Sequence, residues 1–169
     1  LISLGCDKNL ADSEIMISIL QERGHEMVEL ETEAEVIIIN SCCFINDAKE
    51  ESINTILEMA ELKKSGQIKA LLVAGCLAQR YRDEIQTEIE EVDAIIGTAS
   101  IDTVAEALDR VLAGQKSNYI DSLDKAPVTG KKRVLTTGGH YAYLKIAEGC
   151  NKHCTYCIIP KVRGNYRSI

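Results

Sequence analysis

Along the first 124 residues, short runs of apolar, often β-branched residues alternate with longer stretches in which apolar side chains recur every three or four positions. No other feature restricts the fold as much, because strand and helix differ in just this period. The runs at residues 2–4, 27–30, 36–39, 70–73, 94–96 and 118–120 have the length and composition of strands. Between them, Leu10, Ile15, Met16, Ile19 and Leu20 form one helical stripe, and Ile53, Ile56, Leu57 and Ala60 a second. Tyr81, Ile85 and Ile89 form a third, and Ile101, Val104, Ala105, Leu108 and Leu112 a fourth. This alternation predicts an α/β domain of Rossmann or flavodoxin-like type, a mostly parallel sheet with helices on both faces. Asn9 is expected to cap the first helix and Asn46 the second, with Asp47, Glu50 and Glu51 at the positive end of its dipole.

After Asp124 the pattern lapses. Residues 125–139 carry Pro127, three glycines, several threonines and Lys131-Lys132-Arg133, the composition of a linker. A new strand is expected over residues 140–147, opening a second domain of which residues 140–169 form only the start. The expected division is 1–124, 125–139 and 140–169. Leu1 already lies at a predicted strand, so the start codon is expected a few residues upstream.

Charge divides in a similar way. Residues 1–130 hold 11 Lys and Arg against 25 Asp and Glu, whereas residues 131–169 hold 8 against 1. An acidic domain with a basic segment is an ordinary soluble arrangement; it also suits a basic protein partner and argues against a first domain that grips nucleic-acid phosphates. The longest apolar runs, 36–39 and 70–74, fall far short of the ~18–20 residues of a membrane span, and no basic-then-apolar leader opens the sequence. A cytoplasmic location without a membrane partner is expected.

Seven cysteines without a secretory leader point to metal or redox use rather than disulfides. Cys150-Asn-Lys-His-Cys154-Thr-Tyr-Cys157 places three thiolates within eight residues, enough to hold three corners of a [4Fe–4S] cube and leave the fourth iron without a protein ligand. Structural zinc is the alternative, but it wants four tetrahedral ligands, and His153 is tightly placed between the cysteines. Cys6, Cys42 and Cys76 each lie just beyond the carboxyl end of a predicted strand, the edge at which open parallel sheets bind ligands. Each also precedes a helix, whose dipole favours thiolate over thiol. Any one of them alone reads as a buried structural cysteine; three at equivalent positions point to a second three-thiolate cluster site. Cys43 is set aside, since adjacent side chains diverge.

The Cys-x3-Cys-x2-Cys loop, with Tyr156 before its third cysteine, resembles the radical S-adenosylmethionine superfamily. Together with Cys6, Cys42 and Cys76 in an upstream α/β domain, the whole chain resembles the amino-terminal part of the methylthiotransferase family. Its members join an N-terminal domain with an auxiliary [4Fe–4S] cluster to a radical (β/α) barrel with a second cluster and a small C-terminal barrel. Leu4-Gly5-Cys6-Asp7-Lys8-Asn9, Ala11-Asp12-Ser13-Glu14, the stretch from Tyr143 to Cys150 and Ile159-Pro160-Lys161-Val162-Arg163-Gly164 look most like the members that modify an aspartate of small-subunit ribosomal protein twelve. Cys43 stands where glycine is usual, and Ile169 where arginine is common.

The resemblance implies two cofactor sites. S-adenosylmethionine would bind the open iron of the Cys150, Cys154, Cys157 cluster, and an electron from that cluster would cleave it to a radical. The Cys6, Cys42, Cys76 cluster would carry the sulfur that becomes the methylthio group. Tyr156 would pack near the adenine, and Lys161, Arg163 and Arg167 would either neutralise a carboxylate or form a solvated basic face. The implied partners are a small-subunit ribosomal protein and an electron donor such as flavodoxin or ferredoxin. Three rival readings remain: a methylthiotransferase acting on modified adenosine in tRNA, a non-catalytic iron-sulfur electron-transfer domain, and a polypeptide that binds a partner through its acidic domain without doing chemistry. A barrel of this kind needs about 200 residues, so the 169-residue chain alone is expected to be inactive.

Overall fold

Residues 37–41 and 70–75 are buried without a break, and all but Asn40 are apolar or small, which only the middle of a covered sheet demands. The computed structural model describes residues 1–169. Strands β1 (Ile2–Ser3), β2 (Val36–Ser41), β3 (Ala70–Gly75), β4 (Ala94–Ile96) and β5 (Ser117–Tyr119) form one parallel sheet in the order β1-β2-β3-β4-β5. The helices are α1 (Asp7–Glu22), α2 (Asn46–Lys64), α3 (Cys76–Arg80), α4 (Arg82–Glu88) and α5 (Val104–Leu112). Alternate residues of the strands serve two cores. Ile37, Ile39, Leu71, Val73 and Ile95 pack against α2, α3 and α4. Ile38, Leu72, Ala94 and Ile96 pack against α1 and α5. Successive crossovers of one hand stepping in one direction would put every helix on the same face. The winding therefore changes after α1 and again at α5.

Helices thus cover both faces of a parallel sheet, as expected, but several details differ. Residues 27–30 form no strand: Met27, Val28 and Leu30 stand exposed among Glu26, Glu29 and Glu31, where pairing would bury little. Helix α1 starts at Asp7 behind Cys6, and α2 at Asn46 behind Ile45, so neither Asn9 nor Asn46 is a cap. The second stripe is rotated: Ser52, Ile56, Met59 and Ala60 face the sheet, which turns Ile53 and Leu57 outward. Leu112 is likewise exposed at the end of α5.

The expected strand over 140–147 shrinks to β6 (Ala147–Glu148), paired antiparallel with β7 (Arg167–Ser168). Residues 141–146 have no ladder partner, and Leu144 is 82% exposed. Residues 125–139, irregular throughout, are tied to α1. Glu14, buried in the middle of that helix, accepts from the Thr136 N–H at 2.7 Å and the Thr136 hydroxyl at 3.0 Å, and pairs with Arg133 Nε at 3.1 Å. The last helix, α6 (Ile159–Arg163), docks Val162 into the α2–α4 core. No helix is long and apolar enough to cross a membrane.

Candidate metal centre between two cysteine loops

The strand register decides where the first three cysteines meet. Ser3 pairs with Asn40, Asn40 with Ala74, and Ser41 with Gly75. Cys42 and Cys76 therefore leave adjacent strands at the same level, and Cys6 leaves β1 three residues beyond its last paired position. Glycine makes two of these exits possible. Gly5 and Gly75 adopt φ 87° and 94°, the region that other residues rarely enter. A Cβ on Gly5 would fall 2.5 Å from Cys42 Cβ, and one on Gly75 would strike the Asn40 side chain. Each glycine lets the backbone turn sharply into the cysteine that follows it.

A buried polar shelf supports the three loops. Asn9, fully buried on α1, donates from Nδ2 to the Leu4 carbonyl at 2.9 Å and the Ser41 carbonyl at 3.0 Å, tying the Cys6 loop to the Cys42 loop. Asn40 donates to Asn9 O at 2.8 Å and Ser13 Oγ at 2.9 Å. Ser52 of α2 accepts from the Cys42 N–H at 2.9 Å and donates to the Cys42 carbonyl at 3.0 Å. Buried loop backbone must find such partners, and these side chains provide them.

The thiols are close enough to feel one another. Burial pushes the Cys76 thiol up, with Arg163 opposing and Cys42 and Cys6 adding to the rise as like charges. Cys76 Sγ lies 3.8 Å from Asn9 Oδ1. Cys43 is pushed up to about 12 by burial, with Cys76 and Cys42 adding and Arg80 opposing. At Cys76 burial thus acts against the thiolate preference expected from the helix dipole. Cys42 and Cys76 are buried and Cys6 is exposed, so this edge is open on the β1 side.

Cys150, Cys154 and Cys157 lie on the loop between β6 and α6, with Cys154 exposed and the other two partly so. His153 takes φ 49°, a left-handed turn inside the loop. The Cys157 N–H donates to the Cys154 carbonyl at 3.0 Å, and the Lys152 N–H lies 3.5 Å from Cys150 Sγ. Cys154 and Cys157 share a cleft with Cys43, which Cys150 does not line. Tyr156 is 90% exposed at its margin. No three His, Cys, Asp or Glu side chains converge as the ligands of one ion do. A cubic cluster takes its thiolates on separate irons, so three thiols on neighbouring loops, without a fourth, fit that group in donor type and number.

A buried ion network joins the two cysteine regions. Arg163 donates from Nη1 to Asp12 Oδ2 at 2.6 Å and Glu148 Oε2 at 2.9 Å, and from Nη2 to Asn9 Oδ1 at 2.5 Å. Lys145 Nζ reaches Asp12 Oδ1 at 2.5 Å and Glu148 Oε2 at 2.6 Å. Lys8 Nζ donates to the Ala147 carbonyl at 2.7 Å. Burial alone would raise the Glu148 carboxyl, but Arg163 and Lys145 overcome it and hold it near 2. Arg163 is therefore no part of a solvated basic face. Sequence reading missed Asn9, Asp12 and Lys145 as parts of this junction; the local signal was two acids, Asp12 and Glu14, on a helix side that also carries apolar residues.

The family model described as "Uncharacterized protein family UPF0004" matches residues 1–97, which include Cys6, Cys42 and Cys76. The chain is 60% identical over 168 residues to the ribosomal protein uS12 methylthiotransferase RimO of Lachnoclostridium phytofermentans, covering 99% of this chain and 38% of that protein. It is 52% identical over 168 residues to the same-named protein of Pelotomaculum thermopropionicum, covering 99% and 38%. With that of Clostridioides difficile the identity is 49% over 166 residues, covering 98% and 37%. The chain spans less than two fifths of the length of these relatives. It belongs to the family described as UPF0004, and across its whole length it is a relative of the uS12 methylthiotransferases.

Proposed function

We propose that this chain is the N-terminal part of a radical S-adenosylmethionine methylthiotransferase that adds a methylthio group to the β-carbon of an aspartate in small-subunit ribosomal protein uS12. The observation that carries the reading is the gathering of Cys6, Cys42 and Cys76 at one sheet edge, with the Cys150–Cys157 loop tied to that edge through Arg163 and Asn9. The named relatives support the substrate.

Cys6, Cys42 and Cys76 would hold one [4Fe–4S] cluster, and Cys150, Cys154 and Cys157 the other. Held there with S-adenosylmethionine, these groups would supply radical chemistry for removing hydrogen from an unactivated carbon and the sulfur to be transferred. The chain's own residues orient the parts. Asn9 and Ser52 fix the loops that carry Cys6 and Cys42, Arg163 sets the second loop against the first, and exposed Tyr156 is free to stack on the adenine. The electron donor is a small redox protein such as flavodoxin or ferredoxin, and the enzyme works in the cytoplasm.

The test is to incubate the full-length enzyme, reconstituted anaerobically, with S-adenosylmethionine and either the ribosomal protein or tRNA, and to look for an added methylthio group by mass spectrometry. Addition to the aspartate supports the reading; addition to adenosine alone replaces it with the tRNA reading. Absence of any spectroscopic response to S-adenosylmethionine would move it towards an electron-transfer domain. The 169-residue chain tested alone is expected to transfer nothing.

A further inference from the structure

In residues 1–130 acids outnumber bases by 25 to 11, so an unpaired cation is uncommon there. Eight of the eleven, Lys8, Arg23, Lys63, Lys64, Lys69, Arg82, Arg110 and Lys125, have a carboxylate within 4 Å. Lys116 donates to the Glu90 carbonyl. The remaining two, Lys49 and Arg80, come from different helices and meet at one ring. The Arg80 guanidinium lies 4.8 Å from the centre of Tyr81, and Lys49 Nζ lies 5.6 Å from it.

Both line a cleft of about 780 Å³ between the β2–α2 loop, α3 and the Cys150–Cys157 loop. The facing wall brings Lys161, also without a carboxylate partner, together with Cys154 and Cys157. No Asp or Glu lines the cleft, in a chain that holds 26 of them. The Arg80 guanidinium lies over an aromatic ring with the Cys43 thiol as its neighbour and no carboxylate beside it, and the edge of a guanidinium so stacked is the fork that binds a carboxylate with two parallel hydrogen bonds.

We propose that this cleft is a carboxylate subsite, in which Arg80, aided by Lys49, binds the side-chain carboxylate of the substrate aspartate. The inference rests on the function proposed above and names residues that recognise its substrate. In aspartate the β-carbon is bonded directly to the carboxylate carbon, so a fork that fixes the carboxylate also fixes the carbon to be modified, here within the cleft that Cys154 and Cys157 line. Two cations of an otherwise acidic domain, faced by Lys161 alone, suit one small anion, not the row of phosphates of a nucleic acid. The methionyl carboxylate of S-adenosylmethionine carries the same chemistry and is the other source to be distinguished.

The experiment uses the full-length enzyme, anaerobically reconstituted, and two fluorescent peptides of the ribosomal protein that differ only in Asp or Asn at the modified position. Binding is read by anisotropy, and S-adenosylmethionine binding by equilibrium dialysis. Arg80→Gln is expected to weaken the Asp peptide about 10- to 100-fold while leaving the Asn peptide and S-adenosylmethionine unchanged. Arg80→Lys should recover part of the loss, and Lys49→Gln should lose less. Iron and sulfide content and the melting temperature of each variant show that it is folded and loaded.

A fall in S-adenosylmethionine affinity alone keeps the carboxylate subsite and gives it that source. Equal binding of Asp and Asn peptides, with no variant affecting either ligand, overturns it. Methylthio addition by the wild type with an indifferent Arg80→Gln would refute the subsite and leave the function standing. Carboxylate-dependent peptide binding without any methylthio addition would do the reverse.

Discussion

Arg163 and Asp12, 151 residues apart in sequence, meet at 2.6 Å with both side chains only 2% exposed. The pair links the helix that follows Cys6 to the helix that follows the Cys150–Cys157 loop. Two ions at such a depth are tolerated because the network closes. Asp12 and Glu148 face Arg163 and Lys145, and Asn9 takes the remaining fork of the guanidinium.

Removing the arginine leaves two buried acids facing Lys145, with only the partly exposed Lys8 beside Glu148. Arg163→Met is expected to destabilise the chain by about 3–5 kcal/mol, a melting temperature lower by roughly 6–20 °C at this chain length. Glu148→Gln should cost less, because it removes an acid but keeps hydrogen-bonding atoms near Arg163 and Lys145. Calorimetry on the three proteins checks the order; equal stability of Arg163→Met and the parent would show that the junction contributes nothing.

Iron content separates ligands from bystanders. The reconstituted full-length enzyme should hold about eight irons, and replacing any one of Cys6, Cys42 or Cys76 by alanine should leave about four. The same loss is expected for Cys150, Cys154 or Cys157. Cys43→Ala, which removes a buried thiol next to Arg80, should leave the count at about eight. Halved iron in Cys43→Ala would make it a ligand, and one zinc without iron would overturn both sites.

Two glycines provide a matched comparison. Gly5 and Gly24 have nearly the same backbone angle, φ 87° and 86°, but a methyl group on Gly5 meets Cys42, whereas one on Gly24 meets nothing within 4 Å. Gly24→Ala should cost about 1 kcal/mol, the strain of the angle alone. Gly5→Ala should cost clearly more, about 2–4 kcal/mol, and lower iron in the first site by displacing Cys42. Equal losses in urea unfolding would show that the loop yields freely.

Asn9 is the tie between the first two cysteine loops. Asn9→Ala removes both donors and leaves the Leu4 and Ser41 carbonyls and one fork of Arg163 without their partner, at a cost of about 2 kcal/mol or more. Hydrogen exchange should speed up at residues 4–6 and 41–43 before it does so in β3. Unchanged protection there would mean that Ser52 and the backbone suffice to hold the loops.

The βα layering, the buried strands and the strand-end positions of Cys6, Cys42 and Cys76 were legible in the sequence, because the periods of burial in helix and strand are properties of a few neighbouring residues. The failures have the same root. Residues 27–30 and 141–146 carry strand-like residues, yet a strand exists only when another offers it a ladder, and none does.

The roles of charged side chains were not local in this sense. Arg163 reads as one cation in a basic tail, and nothing in the sequence singles out Lys49 or Arg80. Docking of α6 onto the first core buried Arg163 against Asp12, and the turn between α3 and α4 set Tyr81 between Arg80 and Lys49. The amino-acid order by itself determined which segments are buried and where the thiols leave the sheet. Which charges find partners, and which are left facing a cleft, was decided only when distant segments packed, since Coulomb and hydrogen-bond energies depend on distances in space and on desolvation.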